Sequence, residues 1–439
     1  MGDMKDSGIA WINKIPVDWE LKKIKYTLQS RNENNNPIRS RNILSLTAKQ
    51  GVIPLSEKEG GGNKPKEDYS AYKLAYPGDI VMNSMNILSG SVGLSKYFGC
   101  VSPVYYMLRP IDEKNDVRYF NYIFQTTVFQ RSLLGLGNGI LMKESENGRL
   151  NTIRMRIPLD KLGNIFIPVP DSNIQKKIAD YLDSICPEID TLLQDIQLQI
   201  EILEEYKKSI ITQAVTKGLN PNVEMKDSKI EYIGEIPEHY KLIPLKYVTN
   251  SNNKSLPENT SSDYEFDYID IGSVEYGKGI TQMQHMYFKY APSRARRIVF
   301  PDDVILSTVR TYLKATTAIP QNEYQIIVST GFITLTANKQ ILPKYLKYAI
   351  LFDGFISEVE SRSVGISYPA INSSEVVRIK VVIPPKSEQE EIAKYLDSKC
   401  MEIDGAIFEK KKQLQILEQY KKSLIYEYVT GKKEVPDNE

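Results

Sequence analysis

The chain has 439 residues, of which 41% are apolar and 25% charged, with 56 basic against 55 acidic side chains. That balance excludes a disordered or collagen-like chain and leaves no global field pulling the protein onto nucleic acid or membrane, so any such binding must come from local patches. Three scattered cysteines cannot form a disulfide framework and point to a reducing, cytoplasmic location, and two histidines leave little material for metal or acid–base chemistry. The length suggests about three domains. Met1–Trp11 lacks the charged-then-apolar pattern of a secretory signal, and no run approaches the roughly 18 apolar residues of a membrane span.

In chain order, residues 6–30 read DSGIAWINKIPVDWELKKIKYTLQS, and an ungapped second copy, DSKIEYIGEIPEHYKLIPLKYVTNS, stands at 227–251. Trp11 and Trp19 become Tyr232 and Tyr240, so aromatic character is kept. The stretch that follows reads as mixed strand and helix, with short β-branched and aromatic runs between Gly, Pro and Asn. Its segments recur faintly but in order: AYPGDIVMNS (75–84) with VFPDDVILST (299–308), VSPVYYMLRP (101–110) with VSTGFITLTA (328–337), YFNYIF (119–124) with YLKYAI (345–350). The glycine-rich runs GGGNKP (60–65) and GLGNG (135–139) read as turns, since no GK[ST] follows to make a phosphate cradle. IFIPVPD (165–171) and VVIPPK (381–386) then lead into the strongest repeat, residues 175–218 and 389–432, where about half the positions are identical without a gap.

Those long segments are helical. Leu182, Cys186, Ile189, Leu193, Ile196, Ile200, Leu203, Ile210 and Ala214 fall three or four apart, with Lys207 as the polar break. Leu396, Cys400, Ile403, Ile407, Leu414, Leu417, Leu424 and Tyr428 do the same in the second copy, with Lys410 and Lys421 as breaks. A seam of this period calls for a partner helix, most simply the other copy; the bland alternative is that each helix serves only the core of its own half. Pro187 either starts or kinks the first helix, so the two helices are expected to begin differently, Met401 standing in its place in the second. Pairing is expected to be antiparallel, with a variable domain at each end of a rod about 45–65 Å long. The expected fold class is therefore α+β: two similar mixed α/β domains separated by two long helices in an antiparallel coiled coil, as a pseudo-twofold internal repeat. The expected boundaries are 1–174 and 219–388 for the domains, 175–218 and 389–432 for the helices, and 433–439 for a tail.

With these residues laid out, the chain resembles the DNA-specificity (S) subunit of type I restriction–modification enzymes over about residues 6–430. The carriers are the opening motif, Q-x-x-I-A-x-Y-L-D at Gln175–Asp183 and Gln389–Asp397, E-I-D at 188–190 and 402–404, and E-x-Y-K-K-S at 204–209 and 418–423. The resemblance implies two target-recognition domains, each reading half of a bipartite double-stranded DNA target. It also implies helices that set the spacer and dock two methyltransferase (M) subunits, with restriction (R) subunits joining for cleavage. It implies no catalysis and no cofactor in this chain, S-adenosylmethionine, ATP and Mg belonging to partner subunits, and no membrane.

The residues themselves agree with an absence of chemistry: there is no N/D-P-P-Y/F motif, no methyl-donor loop and no P-loop. Cys186 and Cys400 sit at equivalent seam positions as small hydrophobes, and no metal site is expected. Asp302–Asp303 with Lys314 could suggest a nuclease cluster, but the matching Asp79 lies in a Pro-Gly-Asp turn, which explains it. DNA contacts are expected from the stretches Asn83–Asn86 and Ser307–Arg310 and the Gly-Ser-rich runs Asn138–Ser145 and Ser363–Ser367, and by residue from Asn83, Asn86, Lys143, Arg149, Arg154 and Arg156 in the first half, and from Arg294, Arg296, Arg297, Arg310, Lys314, Arg362 and Ser367 in the second. Cations neutralise phosphates, and Arg, Asn and Ser reach base edges. The expected helix-pair interface is Leu182, Ile189, Leu193, Ile196, Ile200 and Leu203 with Leu396, Ile403, Ile407, Leu414, Leu417 and Leu424. A second reading from another class is a non-enzymatic coiled-coil scaffold with two protein-binding heads, and the arginine clusters in both halves favour the first.

Overall fold

The structure, a computed structural model, describes residues 3–47, 50–58, 65, 67–139, 142–144, 150–152 and 155–436, with side chains described outside 138–155. It divides into two compact units, residues 1–195 with 413–439 (unit 1) and residues 196–412 (unit 2). Most of GGGNKP lies outside the described residues.

Unit 1 is built on four antiparallel strands, β1 (Leu28–Arg31), β2 (Ile80–Asn83), β3 (Val92–Leu94) and β4 (Tyr105–Pro110), in the order β1–β4–β2–β3. The apolar run Ile80–Met82 is fully buried, as a strand covered on both faces should be. It starts at a turn where Gly78 takes φ +86° and the Asp79 carboxylate accepts the Tyr76 N–H at 3.0 Å. Helix α1 (Val117–Gln125), capped by Asp116, buries Tyr119, Phe120, Ile123 and Phe124. Helix α2 (Ser172–Lys217) follows.

Unit 2 carries β5 (Thr249–Ser251), β6 (Glu265–Ile269), β7 (Gln284–Tyr287), β8 (Ala295–Val299), β9 (Val304–Ser307), β10 (Thr316–Ala318), β11 (Ile326–Ser329) and β12 (Phe332–Ala337), then α3 (Pro343–Leu351) and α4 (Lys386–Val429). Strands β5–β12–β9–β10 repeat the unit 1 sheet in the same order. A second sheet, β7–β6–β11–β8, holds β6 and β11 parallel. Its slighter counterpart in unit 1 pairs Lys73–Ala75 with Gly99–Val101, and Ile43 bridges Cys100 in parallel. At the turn into β9, Asp302 takes φ +67°, where unit 1 has Gly78, and Asp303 accepts the Phe300 N–H at 2.8 Å. Burial pushes the Asp303 carboxyl up, partly offset by that N–H. Asp79 and Asp303 are thus the same turn residue in two copies.

Helices α2 and α4 start at equivalent residues, Ser172 and Lys386, against the expectation that Pro187 would make their beginnings differ. Both starts are instead set by the prolines that end the preceding strand, with Gln175 N–H bonding Asp171 O at 2.9 Å and Gln389 N–H bonding Pro385 O at 3.0 Å. Pro187 lies inside α2, which continues past it.

The repeated motifs turn out to be fasteners. In unit 1, buried Gln175 donates to Asn115 Oδ1 and Pro170 O, both at 2.8 Å, and accepts the Asp116 N–H at 3.1 Å. Asp183 accepts the Tyr122 hydroxyl at 2.7 Å and an Arg118 N–H at 2.8 Å. Tyr119 donates to Val429 O, at the far end of α4, at 2.9 Å. Unit 2 repeats the scheme. Gln389 donates to Pro384 O at 2.9 Å and to Gln340 O at 3.3 Å, and accepts the Leu342 N–H at 2.8 Å. Asp397 accepts the Tyr348 hydroxyl at 2.6 Å, and Tyr345 donates to Val382 O at 3.0 Å and to Val215 O, near the end of α2, at 3.5 Å. His239 lies 2.8 Å from Glu388, whose other oxygen accepts the Tyr240 hydroxyl at 2.7 Å.

Within each unit the start of one long helix runs antiparallel to the end of the other. In unit 1 the Tyr181 and Tyr428 rings meet at 4.7 Å and Lys421 pairs with Asp190. In unit 2 Lys411 pairs with Glu204 at 3.3 Å and Lys207 with Asp404 at 2.7 Å. The polar breaks Lys207 and Lys421 therefore meet the aspartates of the two E-I-D motifs. Around them, Leu182, Ile189 and Leu424 are buried in unit 1, with Leu193, Leu414 and Leu417 half-buried; in unit 2 Ile200, Leu396, Ile403 and Ile407 are buried, with Ile196 and Leu203 half-buried. Cys186 lies on the helix seam of unit 1 and Cys400 on that of unit 2, and burial raises both thiols, Cys186 to about 11.

Candidate nucleic-acid interface

In unit 2 the chain leaves β9 through Thr308, whose N–H bonds Gly331 O at 2.8 Å, and enters a tight loop. Arg310 and Lys314 both adopt left-handed backbone there, φ +53° and +51°, around a 3-10 turn at Thr311–Leu313. Such strain in non-glycine residues persists only where the surroundings enforce it, and it concentrates at working sites. The enforcement comes from residues 360–371: Val309 bridges Ala370, Ile371 N–H bonds Thr308 O at 2.9 Å, and Lys314 pairs with Glu360 at 3.0 Å. The Arg310 guanidinium lies 5.2 Å above the Tyr368 ring, and Arg362 bonds Glu358 at 2.7 Å. Arg310, Lys314, Arg362 and Ser367 thus share one surface. Arg294 sits beside it: its carbonyl accepts the Thr330 N–H at 2.8 Å, next to Gly331, and its guanidinium pairs with Asp270 at 2.7 Å.

Arg296 and Arg297 do not join them. Both lie within β8, where Arg296 stacks on Phe288 at 4.9 Å and each buries one guanidinium nitrogen, Nη1 of Arg296 and Nε of Arg297, without a hydrogen-bond partner. Burial pulls the Arg297 guanidinium below its usual range.

Unit 1 brings its equivalents together by the same bond, Ile157 N–H to Ser84 O at 2.9 Å, matching Ile371 to Thr308. Asn83 ends β2 with its carboxamide accepting the Met85 N–H at 3.0 Å, and Asn86 is exposed ahead of the short turn Ile87–Ser89. Arg156 is exposed on a two-residue strand paired with Asn138–Gly139, so GLGNG feeds this same edge. Lys143 lies on a strand paired with Leu150–Thr152, its side chain outside the described residues; Arg149 and Arg154 lie outside them altogether.

Both units therefore present the loop after β2 or β9 against the segment that leads into the last strand before the long helix. The model of the family described as the type I restriction modification DNA specificity domain matches this chain twice, over residues 16–202 and 237–422. The chain belongs to that family. It is 25% identical over 442 residues to a protein assigned as the specificity subunit of the type I restriction enzyme MjaX of Methanocaldococcus jannaschii, covering 96% of this chain and 95% of that one. It is 25% identical over 371 residues to the MjaVIII specificity subunit of the same organism, covering 81% and 80%. A chain from a solved structure on complex assembly and conformational transition of the type I R-M system shares the fold, with a TM-score of 0.67 at 13% identity over 95% of this chain and 99% of that one. The α+β organisation with two mixed domains and long helices is the one expected from the repeat.

The run Ser363–Ser367, expected at this surface for its glycine and serines, also presents apolar side chains that the sequence reading does not single out. Val364, Ile366, Tyr368 and Tyr312 are exposed beside the cations of unit 2. The alternation in SVGISYP was the available signal, since alternate residues of an extended segment share a face. Among the described residues no three His, Cys, Asp or Glu side chains converge on a metal-sized site, and no helix is long and apolar enough to cross a membrane.

Proposed function

We propose that the chain is the DNA-reading, non-catalytic specificity subunit of a type I restriction–modification complex, each unit reading one half of a bipartite double-stranded target. The observation that carries this is the duplicated loop surface, built by the same backbone bond in both units and bearing strained cationic residues in unit 2. Residues 1–174 and 219–388 act as recognition domains, 175–218 and 389–432 as spacer helices, and 433–439 as a tail. The named asparagines, serine and cations, Arg296 and Arg297 excepted, make the phosphate and base contacts. Family membership and these loops weigh against the protein-binding scaffold.

Two methyltransferase subunits dock on the helices. In support, Ile202 and Tyr206 on α2, and their equivalents Ile416 and Tyr420 on α4, are apolar side chains left exposed at the same places in the two copies. S-adenosylmethionine, ATP and Mg act on the methyltransferase and restriction subunits, in the cytoplasm.

The test is methylome sequencing of a host carrying this chain with its methyltransferase subunit. Exchanging residues 30–165 for those of a relative should change one half of the methylated motif and leave the other; a change in both halves would refute the modular reading. Inserting seven residues into both helices, between Ile196 and Ile200 and between Lys410 and Leu414, keeps the seam on its face and adds about 10.5 Å of helix. The unread spacer should lengthen by two to four base pairs, with weaker activity because the far half-site also rotates. An unchanged spacer at full activity would assign the spacing to the methyltransferase subunits.

A further inference from the structure

Residues 363–371 of unit 2 form a tip that puts apolar side chains into water and holds them there. Val364, Ile366 and Tyr368 are 80%, 103% and 67% exposed. They alternate with Gly365 and Ser367, and the segment is not loose. Val364 and Ala370 exchange backbone hydrogen bonds at 2.9 and 3.0 Å, and Thr311 N–H bonds Pro369 O at 3.3 Å. Gly365 takes φ +120°, with the Tyr368 carbonyl 3.1 Å from where a Cβ would stand. A pinned loop that exposes Ile366 completely is arranged for something that covers it. Its rim carries one uncompensated cation. Arg310 is held over Tyr368 and pairs with no carboxylate among the described residues, while Lys314 and Arg362 flank it in ion pairs with Glu360 and Glu358. An apolar tip beside an unpaired arginine, with two further cations whose glutamate partners phosphates can replace, complements a duplex, whose phosphates are anionic and whose major groove exposes one apolar group, the thymine C5-methyl.

We infer that Val364–Tyr368 is an apolar reading element, in which Ile366 packs on a thymine methyl group in the half-site of unit 2 while Arg310 and its neighbours hold the flanking phosphates. This rests on the DNA-reading role proposed above and names a residue and a chemical group for it.

The experiment uses the full chain reconstituted with its methyltransferase subunits and a duplex bearing the motif found by methylome sequencing. Each thymine of the unit 2 half-site is replaced singly by deoxyuridine, which removes the methyl group and leaves base pairing intact. One replacement should weaken binding about fourfold, the value of burying a methyl-sized group. Ile366→Ala should weaken binding to the thymine duplex and make it indifferent to that replacement, because the two changes remove one contact. Ile366→Val should restore part of the sensitivity. The wild-type melting temperature should be kept, since the side chain is wholly exposed. Specific binding unaffected by uracil at every position, or a half-site without thymine, overturns the inference and leaves the DNA-reading role standing. Absence of any sequence-specific binding overturns that role itself. If Ile366→Ala instead weakens assembly with the methyltransferase subunits in the absence of DNA, the tip faces protein and the inference fails.

Discussion

Unit 2 is one uninterrupted stretch of chain, whereas unit 1 is closed by C-terminal residues 413–439. The two are nonetheless fastened alike. Tyr119 bonds the end of α4 as Tyr345 bonds the end of α2, and Lys421–Asp190 repeats Lys207–Asp404. A left-handed glycine ends each helix against an aromatic of the opening motif, Gly431 on Trp19 and Gly218 on Tyr240. The unit is thus defined by its bonds, not by the order in which the chain supplies them. That is affordable thermodynamically because the entropy of closing a loop grows only with the logarithm of its length.

The largest expected effect breaks this equivalence outright. A chain ending at Lys412 keeps every residue of unit 2 and removes Leu424, Ile425, Tyr428 and Val429 from the unit 1 core, where all are buried. Each such side chain contributes about 1.5–3 kcal/mol, and the sum exceeds ~5 kcal/mol, the lower end of whole-domain stability. Limited proteolysis should then cleave within residues 1–195 and spare 196–412. Continued protection of 1–195 would show that unit 1 closes without its C-terminal segment.

The next prediction asks whether the two fasteners are equivalent. Gln175→Ala and Gln389→Ala each strip a buried carboxamide of three hydrogen bonds. Leaving buried partners unpaired should cost ~2–3 kcal/mol in each case. Hydrogen exchange should localise the loss to unit 1 for the first and unit 2 for the second. Equal loosening of both units by either substitution would mean that the units do not fold as separate cores.

How much of this was legible depended on whether a pattern implies a place. The ungapped repeat carried the helices, and the three-to-four spacing carried their seam. Spacing says that a helix has a partner, however, and not which part of which helix meets it. That each unit takes the start of one helix and the end of the other rests on bonds such as Tyr119–Val429, which no local pattern encodes. In the loops, nearness in sequence misled. Arg294, Arg296 and Arg297 look like one cluster, yet the register along β8 leaves Arg294 at the loop edge and puts the other two among buried neighbours. Conversely, Arg310 and Tyr368 are far apart in sequence and stack. The run Ser363–Ser367 is legible as a DNA-facing loop from its glycine and serines, but that Ile366 is its most exposed side chain depends on the backbone pairing of Val364 with Ala370.

A smaller effect should separate the two interhelical ion pairs. Lys207 is the more enclosed lysine, its side chain 14% exposed against 24% for Lys421, and it also donates to Gly277 O at 3.1 Å. Removing the carboxylate strands the lysine, at a cost that grows with burial. Asp404→Ala should destabilise unit 2 by ~1–2 kcal/mol and Asp190→Ala unit 1 by less, since both aspartates are about half exposed and solvent screens the pairs. Denaturant melts of the two variants test the order, and a larger loss for Asp190→Ala would reverse it.

The smallest effect lies where the units differ in sequence at the closing turn. In the ungapped repeat Lys432 aligns with Gly218, although Gly431 is the glycine that closes α4. Its ammonium donates to Ile12 O at 2.6 Å, to the Tyr426 hydroxyl at 2.9 Å and to Thr430 Oγ1 at 3.1 Å. Burial nevertheless pushes its pKa down to about 8, only partly countered by Glu427. A base with a folded pKa below its unfolded one carries fewer protons in the folded state between those two values, so stability rises with pH through that window. Below about pH 8 lysine is charged in both states and the burial cost is fully present; by about pH 10 the folded state has shed the proton and the cost is gone. Because the side chain is only partly enclosed, the gain should be ~1 kcal/mol or less. Hydrogen exchange or melts across pH 8–10 should show unit 1 gaining stability relative to unit 2. Lys432→Met should abolish that gain while leaving unit 2 unchanged. A relative gain that persists in Lys432→Met would place the titrating group elsewhere in unit 1, and no gain in the wild type would mean that the acceptors around the ammonium fully compensate the buried charge.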